Sequence, residues 1–403
     1  MNILQINKFY FDRGGAERYM FSLSALLERN GHKVIPFSCL YPQTKPTPWD
    51  KFFPSAIETE KVRFAGTGLK TAARVVWSRE AAHMLDALLT AHRVDVAHLH
   101  NIYHHISPSI FSVLRKHGVP TVMTLHDFHL VSPAYNLTAH GGRCDHARGS
   151  KWHQAAVHRC VKNSFAASML CAAELALHRF LRLYERGVDL FIAPSAFLER
   201  TLMEWGFRAP AITVIPNFID TGNIAPPVGG GTVVFAGRLS EEKGVAEFLT
   251  LAESNPHLLF EIAGTGPLAA LVQARIRTLP HVAYHGFIDP RTMPAFLAQA
   301  GVVVIPSRAP EVFPMAALEA GAARKPVIAF RSGGIPEIVV DGVSGILVPE
   351  GDVHAMANAV NAIMTTPAKR QEMGLKAHER ARALFSADEH YRRIMDAYQR
   401  VIR

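Results

Sequence analysis

The sequence predicts an α/β protein built from two doubly wound domains, each with a parallel sheet. Short apolar runs alternate with helical stretches along most of the chain, which is the pattern of βα units. At 403 residues the chain exceeds the size at which a single hydrophobic core stops growing. A strand-loop-helix-strand unit spans residues 301–330, and loops of such units lie at the carboxyl edge of a parallel sheet, where ligands bind.

Composition limits the class of protein and of partner. Hydrophobic residues make up 49% of the chain, which indicates a globular protein. Lys and Arg total 43 against 34 Asp and Glu, and this basic balance suits an anionic ligand, an anionic membrane surface or nucleic acid. Because the sequence has no zinc finger, aromatic-basic RNA signature or long basic arm, nucleic acid is the least favoured of the three.

The start of the chain and its cysteines indicate a cellular location. Residues 1–7 read as a first strand and lack the charged lead-in and apolar segment of a signal peptide. No run approaches the roughly 18 apolar residues that span a bilayer, and the four dispersed cysteines suit reduced thiols. We therefore expect a cytoplasmic protein, with peripheral contact at the inner face of the cell membrane left open.

The first predicted domain comprises residues 1–207. Its first strand ends near Lys8, and Gly14-Gly15 opens a helix with one apolar face that stops at Asn30-Gly31. The next elements are a mobile loop at 40–68, a long helix at 69–92, and strands at 95–100 and 119–125. An irregular segment at 133–163, a core-facing helix at 165–177 and a last strand at 188–195 follow.

The second predicted domain comprises residues 231–385, after a Gly/Pro-rich linker at 208–230. Two of its carboxylates, Glu311 and Glu319, are separated by seven residues. If Ala316 to Ala323 is helical, the two lie about 12 Å apart, which is too far for the acid/base pair of a glycosidase. The spacing suits one glutamate at each end of a nucleotide-sugar, with the helix start facing its diphosphate. The alternative is a loop carboxylate and a solvated helix face.

Two cations share one predicted strand-to-helix loop of this domain. Gly237 and Arg238 precede Lys243 and Gly244. A diphosphate there could accept paired hydrogen bonds from the planar guanidinium of Arg238 and form an ion pair with the ammonium of Lys243. Glycine allows the backbone to approach a ligand closely, and the loop begins a helix. The alternative is a pair of solvated surface cations.

The chain resembles the retaining glycosyltransferases of family 4. Five blocks of the second domain carry the resemblance, in the family's order: FAGRLSEEKG at 235–244, AGTGP at 263–267, GF at 286–287, the Glu311/Glu319 pair, and GGIPE at 333–337 followed by DGVSGILV at 341–348. The first domain resembles the family's acceptor domain more loosely, through Gly14-Gly15, His100-Asn101 and TLHD at 124–127.

The resemblance implies a GT-B fold, with two Rossmann-like domains facing across a cleft and a final helix, 386–403, that packs back on the first. Arg238 and Lys243 match the residues that bind the diphosphate and offset charge on the leaving nucleotide, in place of a metal ion. No Asp-x-Asp motif is present, so no metal or other cofactor is expected.

The resemblance also implies the remaining contacts to the donor. Glu319 is expected to accept hydrogen bonds from the ribose, and Glu311 from hydroxyls of the transferred sugar. The sequence departs from the family at Pro314, which replaces a glycine and has no N–H to donate. Backbone atoms are expected to make the other contacts, around the phosphates or the base: Gly15, Gly237, Gly264, Gly266, Phe287, Met315 and Ala316.

On the acceptor side, His126 follows a predicted strand and matches a family histidine near the reactive carbon of the sugar. Asp127 is expected to fix its tautomer or its backbone, and His100 and Asn101 are further acceptor-side candidates. Each of these has the alternative of a structural role, since the chain contains 21 histidines.

Two other patterns in the sequence each have two explanations. The segment 133–163 holds Cys144, His146, His153, His158 and Cys160, but their spacing fits no known zinc motif. A polar lid over the acceptor is therefore preferred to a metal site. Basic residues interleaved with apolar ones between Lys61 and Arg79 suit either an anionic membrane surface or an ordinary basic helix face.

The predicted function is transfer of a sugar from a UDP- or GDP-sugar to a growing saccharide, expected to be lipid-linked, in surface polysaccharide synthesis. The alternative from another class is a catalytically silent nucleotide-sugar-binding subunit of a glycosyltransferase complex. A saccharide epimerase or phosphorylase on the same scaffold is a further alternative.

Overall fold

The computed structural model describes residues 1–57, 67–220 and 230–402. In these ranges the chain forms two six-stranded sheets and one short hairpin. Every strand pairing within the two large sheets is parallel, which confirms the predicted α/β class with two doubly wound domains. Lys61 and Arg63 of the predicted basic stretch, and residues 221–229 of the predicted linker, lie outside the described residues.

The strands of the first sheet and of the hairpin come from the first half of the chain. They are β1 (Asn2–Ile6), β2 (Lys33–Phe37), β3 (Val96–Leu99), β4 (Thr121–Thr124), β5 (Thr138–Ala139), β6 (Gly142–Arg143), β7 (Leu190–Ala193) and β8 (Ile212–Val214). The sheet has the order β2-β1-β3-β4-β7-β8, and β5 and β6 form the antiparallel hairpin. The helices of this half are α1 (Gly15–Arg29), α2 (Thr67–Val76), α3 (Arg79–Ala91), α4 (Ile110–Lys116), α5 (Trp152–Val157), α6 (Phe165–Phe180), α7 (Leu183–Gly187) and α8 (Ala196–Glu204).

The second sheet has the order β11-β10-β9-β12-β13-β14. Its strands are β9 (Thr232–Ala236), β10 (Leu259–Ala263), β11 (Val282–Gly286), β12 (Ala300–Ile305), β13 (Val327–Phe330) and β14 (Gly345–Val348). The remaining helices are α9 (Val245–Glu253), α10 (Ala269–Arg275), α11 (Met293–Ala298), α12 (Met315–Ala322), α13 (Ile335–Ile338), α14 (Val353–Met364), α15 (Pro367–Leu384) and α16 (Ala387–Val401).

Burial on both faces explains why the central strands are continuous apolar runs. All six residues of β12 and all four of β13 are buried. Separate apolar cores cover the two faces of each sheet, one pair around β3 and β4 and the other around β9 and β12.

The last helix, α16, returns to the first sheet. Its Ile394 and Tyr398 are fully buried in the core formed by α1 and one face of that sheet. The Tyr398 hydroxyl lies 2.7 Å from Nδ1 of His98 on β3. The chain therefore passes between its two halves twice, near Ile219 and near Ser386, where a backbone bridge joins the two crossings.

The structure corrects three predicted elements of the first half. The helix expected over 69–92 is two helices, because Ser78 ends the first segment and its hydroxyl accepts a hydrogen bond from the Ala81 amide at 3.2 Å, which caps α3. The strand near 188–195 is not the last of its sheet, since β8 follows within the predicted linker. The described part of the loop at 40–57 is packed, with Phe53 and Ile57 buried.

Helix α6 buries polar residues beside the apolar Ala172 and Leu175 of its inner face. Its polar Ser168, Glu174 and His178 are buried, while Phe165 and Phe180 are 53% and 84% exposed. The polar residues that interrupt the apolar run therefore face inward. In the described ranges, no helix combines the length and the apolar character needed to cross a bilayer.

Candidate functional site

Both large sheets have a point where the strand order reverses, and the predicted site residues follow the strands at these points. In the second sheet, β9 lies between β10 and β12, so the loops that leave β9 and β12 diverge and open a crevice at their carboxyl ends. In the first sheet the equivalent crevice lies between β1 and β3. Ligands of open α/β sheets bind in such crevices.

Lys243 and Glu311 meet at the crevice of the second sheet. The Lys243 ammonium lies 2.7 and 2.8 Å from the two carboxylate oxygens of Glu311, and the Ser307 hydroxyl donates to the same carboxylate at 2.6 Å. Glu311 is 8% exposed, while the Lys243 side chain is 35% exposed. A partly exposed cation thus covers a buried carboxylate at the place where a ligand is expected.

Two glycines hold these side chains in place through backbone packing. Gly244 has φ +72°, and a Cβ there would lie 1.8 Å from the Pro306 carbonyl oxygen at the end of β12. Gly333 has φ +60°, and a Cβ there would lie 2.2 Å from the Glu311 carbonyl oxygen. Only glycine fits both the left-handed backbone and the lack of space.

The other predicted donor residues of this domain lie on neighbouring loops of the same sheet edge. Arg238 is exposed directly after β9. The loops of Gly237 and Gly264 touch, since the Gly237 amide donates to the Ala263 carbonyl at 3.0 Å and a Cβ at Gly264 would meet the Gly237 carbonyl. Gly266 packs on the Leu239 backbone in the same way. The Phe287 side chain is 67% exposed after β11.

Helix α12 begins at Met315, after the extended residue Pro314. Met315 and Ala316 are therefore its first two residues, and amides in the first turn of a helix have no partner within the helix. Glu319 lies one turn further on and contacts Arg18 of α1, with 2.6 Å between Oε1 and Nη2. This ion pair joins the two domains across the cleft. Gly15 begins α1, so Arg18 lies in the first turn of that helix.

Sequence reasoning missed Arg18, although its position in the first turn of the helix opened by Gly15 was a usable signal. It also missed Lys8, which follows β1 at the first crevice. The Lys8 amide donates to the Asn101 carbonyl at 2.9 Å, and the Asn101 amide donates to the Asn7 side chain at 3.1 Å. Burial, opposed by the carboxylate of Asp127, lowers the pKa of Lys8 to about 8.

His126 lies at the carboxyl end of β4 and pairs with His100 rather than with Asp127. Nε2 of His126 is 3.0 Å from Nδ1 of His100, and Nε2 of His100 is 2.6 Å from the Gln5 amide oxygen. Burial, and to a lesser extent the charge of Lys8, lowers the pKa of His126 to about 3. The imidazole is therefore neutral at neutral pH and suited to hydrogen bonding, not to carrying charge.

Asp127 does not orient His126, which corrects the expected tautomer contact. Its carboxylate accepts hydrogen bonds from the Tyr103 hydroxyl and from the His129 amide, the latter at 2.9 Å. The Tyr103 ring in turn lies under the Lys8 ammonium, 3.5 Å from its centroid. Burial raises the pKa of Asp127 and that of Tyr103.

The irregular segment 133–163 carries the hairpin of β5 and β6 and reaches the second domain. A Cβ at Gly141 would lie 3.3 Å from the Glu241 carboxylate, which belongs to the Lys243 loop. Within the segment, the sulfurs of Cys144 and Cys160 are 3.2 Å apart. The rings of His146 and His158 stack separately at 3.7 Å. Among the described residues, these side chains do not bring three ligand atoms together.

Glu337 joins the domains at the side of the cleft. Its carboxylate accepts the amides of Ala196 and Phe197 at 2.8 and 2.7 Å, which are the first two residues of α8. A side chain of the second domain thus caps a helix of the first, where its negative charge also suits the helix dipole.

Taken together, the cleft presents two carboxylates already paired with cations, an exposed arginine, and helix starts on both sides. A ligand with negative charge at its centre and hydroxyl groups at both ends matches this arrangement, because it can attract the cations and release the carboxylates to accept hydrogen bonds.

Comparison with known families covers both halves of the chain. The protein-family model described as Glycosyltransferase Family 4 matches residues 13–223. The family model described as Glycosyl transferases group 1 matches residues 222–380.

Individual proteins resemble the chain over most of its length. Glycogen synthase from Mycobacterium tuberculosis is 27% identical over 396 residues, covering 91% of this chain and 86% of that protein. The structure of sucrose-phosphate synthase from Thermosynechococcus elongatus aligns with a TM-score of 0.73 at 20% identity, covering 99% of this chain and 98% of that one. HepE from Anabaena, in complex with UDP and glucose, aligns with a TM-score of 0.66 at 20% identity, covering 98% and 99%.

Proposed function

This chain belongs to glycosyltransferase family 4, and we propose that it is a retaining enzyme that moves a sugar from a UDP- or GDP-sugar to a saccharide acceptor. The observation that carries the proposal is the pairing of Lys243 with Glu311 at the crevice of the second sheet, opposite the pairing of Arg18 with Glu319. Lys243 offers a cation for phosphate, and each pair offers a carboxylate for hydroxyl groups.

The donor diphosphate lies between the loop of Arg238 and Lys243 and the start of α12 in this proposal. The two side chains and the amides of Met315 and Ala316 stabilise the negative charge that grows on the leaving nucleotide. Gly15 offers an amide from the opposite domain. Metal-independent transfer follows, because these groups take the place of a divalent cation.

Once Lys243 turns to the phosphate, Glu311 is free to accept hydrogen bonds from the transferred sugar. Glu319 is freed from Arg18 in the same way and accepts the ribose hydroxyls. Release of a buried carboxylate is favourable only if hydroxyl donors replace the lost cation. The exchange therefore favours a complete nucleotide-sugar over inorganic pyrophosphate.

The acceptor enters from the first domain, near His126, His100 and Asn101. Its hydroxyl attacks the anomeric carbon from the face that the nucleotide leaves, and the departing phosphate receives the proton. Neutral His126 contributes a hydrogen bond near the reacting carbon and keeps its protonation state through the step. The hairpin segment, which reaches the Lys243 loop, closes over the acceptor.

We further propose that the acceptor is a lipid-linked saccharide of surface polysaccharide synthesis. Trp77 and Arg79 are exposed, as are several apolar residues of α6, and His178 of α6 contacts the Val76 carbonyl at 2.9 Å. These exposed side chains provide a surface for peripheral contact with an anionic membrane. Arg74 of the same stretch is instead paired with Glu80 at 2.8 Å, and Val75 is buried.

A thermal-shift panel of nucleotides and nucleotide-sugars tests the donor class. Bound ligand at one hundred times its Kd stabilises the folded chain by about 2.7 kcal/mol, so UDP or GDP and one of their sugars should raise the Tm. A response to nucleoside monophosphates with none to either diphosphate would contradict the diphosphate site.

Turnover assays then separate the enzyme from the silent subunit. Slow donor hydrolysis without acceptor, and a product with the anomeric configuration of the donor by NMR, are expected. Addition of Mg²⁺ or Mn²⁺ should leave the rate unchanged. Binding without turnover on any acceptor favours the silent subunit, and an inverted product excludes the retaining mechanism.

A further inference from the structure

The inner face of α6 carries a carboxylate that the proposed reaction does not use. Glu174 is fully buried. In the part of the chain that the structure describes, Oε1 of this carboxylate has no hydrogen-bond partner, and Oε2 has the ring of His104 beside it. A buried carboxylate is strongly unfavourable unless hydrogen-bond donors or cations match its oxygens. The environment of Glu174 should therefore supply more than one imidazole.

A second unsatisfied group faces it. His129 is 3% exposed, and neither of its ring nitrogens has a hydrogen-bond partner among the described residues. Buried imidazoles ordinarily donate through one nitrogen and accept through the other. The two ring nitrogens of His129, buried and without hydrogen-bond partners, therefore indicate a missing ligand.

His104 completes the group. Its Nε2 lies 2.8 Å from Oε2 of Glu174, and the ligand atoms of His104, His129 and Glu174 all lie within 4.8 Å of one another. Cys171, one turn before Glu174 on α6, places its sulfur 3.7 Å from Nε2 of His104. His104 has φ +64°, a strained backbone conformation that persists where the surroundings fix the side chain.

An ion pair between His104 and Glu174 explains only part of this arrangement. It satisfies one carboxylate oxygen and leaves the other oxygen and both nitrogens of His129 without partners. A single metal ion takes a lone pair from each of the three side chains, one from a nitrogen of each imidazole and one from the carboxylate. Two imidazoles and a carboxylate, with a thiol nearby, form a ligand set that zinc and similar divalent transition metals prefer.

We propose that His104, His129 and Glu174 bind one divalent transition-metal ion, with zinc the best match and Cys171 as the neighbouring fourth ligand. Zinc binds nitrogen and oxygen at about 2.0 to 2.2 Å, so small side-chain rotations close the site. The proposal differs from the expectation that the protein holds no metal, and the proposed site is separate from the segment 133–163.

The ion holds the acceptor-side wall of the cleft. It ties the loops after β3 and β4 to α6, and the Tyr103 ring stacks on His129 with 4.0 Å between centroids. Tyr103 also donates to Asp127. The metal therefore has a structural role and takes no part in the chemistry at the diphosphate.

Metal content of the purified full-length chain tests the site without any substrate, so its result does not depend on the proposed reaction. Wild type should retain about one zinc ion per chain, and Glu174→Gln and His129→Gln should each lose it. His153→Gln, in the exposed part of the hairpin segment, is the matched control and should keep it. Wild type without bound zinc, or metal that survives the Glu174→Gln/His129→Gln double variant, overturns the proposal.

Cobalt substitution in wild type keeps the test decisive if the variants fold poorly. Chelator-treated wild type refilled with Co²⁺ should show the strong visible absorption of a four-coordinate ion, and Cys171→Ser should lose only the sulfur-to-metal band. The Tm of wild type should fall on chelation and recover with Zn²⁺. No cobalt spectrum, or a spectrum abolished by Cys144→Ser, overturns the assignment.

Discussion

At the scale of single residues, the groups of the cleft that are expected to bind the ligand form ion pairs with one another. Lys243 and Arg18 neutralise Glu311 and Glu319 at 2.7 and 2.6 Å. The side chains of the two cations are 35% and 39% exposed, and those of the two carboxylates are 9% and 11% exposed. The exposed partner of each pair can move, while the carboxylate keeps its position, so ligand binding exchanges partners without rebuilding the site.

Replacement of Lys243 by alanine should remove most of the catalysis. A preorganised donor aimed at the charge that develops in the transition state contributes about 2.7 to 4 kcal/mol, which corresponds to a 10²- to 10³-fold loss of kcat. Steady-state transfer measures the effect, with the exposed Lys376→Ala as control. A Lys243→Ala enzyme that folds and keeps its full kcat would remove Lys243 from the mechanism.

The pair of Arg18 and Glu319 allows a sharper comparison. If Glu319 accepts the ribose hydroxyls, Glu319→Ala should weaken nucleotide binding by about 1.5 to 3 kcal/mol, measured as the Kd for UDP or GDP by calorimetry. Arg18→Ala breaks the same contact but leaves the Glu319 carboxylate in place to accept the ribose hydroxyls. The Kd for UDP or GDP should therefore not rise in that variant. Equal weakening in both variants would show that the pair acts only as a link between domains.

At the scale of elements, the cap on α8 fixes how the two domains meet. Glu337→Ala should lower the unfolding free energy by about 0.5 to 2 kcal/mol, since two amides at a helix start lose their acceptor. Chemical denaturation measures the change, and Glu350→Ala, at an exposed position, is the control. A Glu337→Ala chain as stable as wild type would mean that water replaces the cap at no cost.

The elements that the sequence predicted well are those whose local pattern and burial agree. The strands near 301–307 and 326–330 and the helix between them are continuous apolar or helix-forming runs, and the structure places β12, α12 and β13 there. The elements that it missed depend on distant contacts. Strand β8 has three half-buried residues and forms only because β7 offers an edge, and the polar face of α6 is buried against loops more than forty residues away.

At the scale of the whole molecule, the same division applies to the site. Loops that follow apolar strands could be assigned from the sequence and its resemblance, and the structure places Lys243 and Glu311 in contact. Arg18 and Glu319, separated by 301 positions, meet only when the domains face each other. Lys8 likewise lies at the carboxyl edge of the first sheet because of the strand order, and a local sequence pattern does not contain that order.

A buried histidine network ties α16 to the first domain. His98 bonds Tyr398 at 2.7 Å, and His390 lies 3.0 Å from the Tyr19 hydroxyl and 2.8 Å from the Pro216 carbonyl. Burial lowers the pKa of His98, His126 and His390 to about 3 in each case. The two crossings of the chain between its domains are therefore held by imidazoles that must stay neutral.

This network should make folding sensitive to acid. The unfolded chain binds a proton at each of these histidines below a pH of about 6.5, whereas the folded chain binds it only near pH 3. The stabilisation that comes from the neutral histidines is therefore complete above a pH of about 6.5 and is lost as the pH falls toward 3. Unfolding in urea near pH 5 should take up protons from the solution. His390→Gln should reduce the uptake by about one proton per chain, and the exposed His354→Gln should reduce uptake by less. Equal uptake in wild type and His390→Gln would mean that His390 is already charged in the folded chain, and the network would then be held by ionic contacts instead.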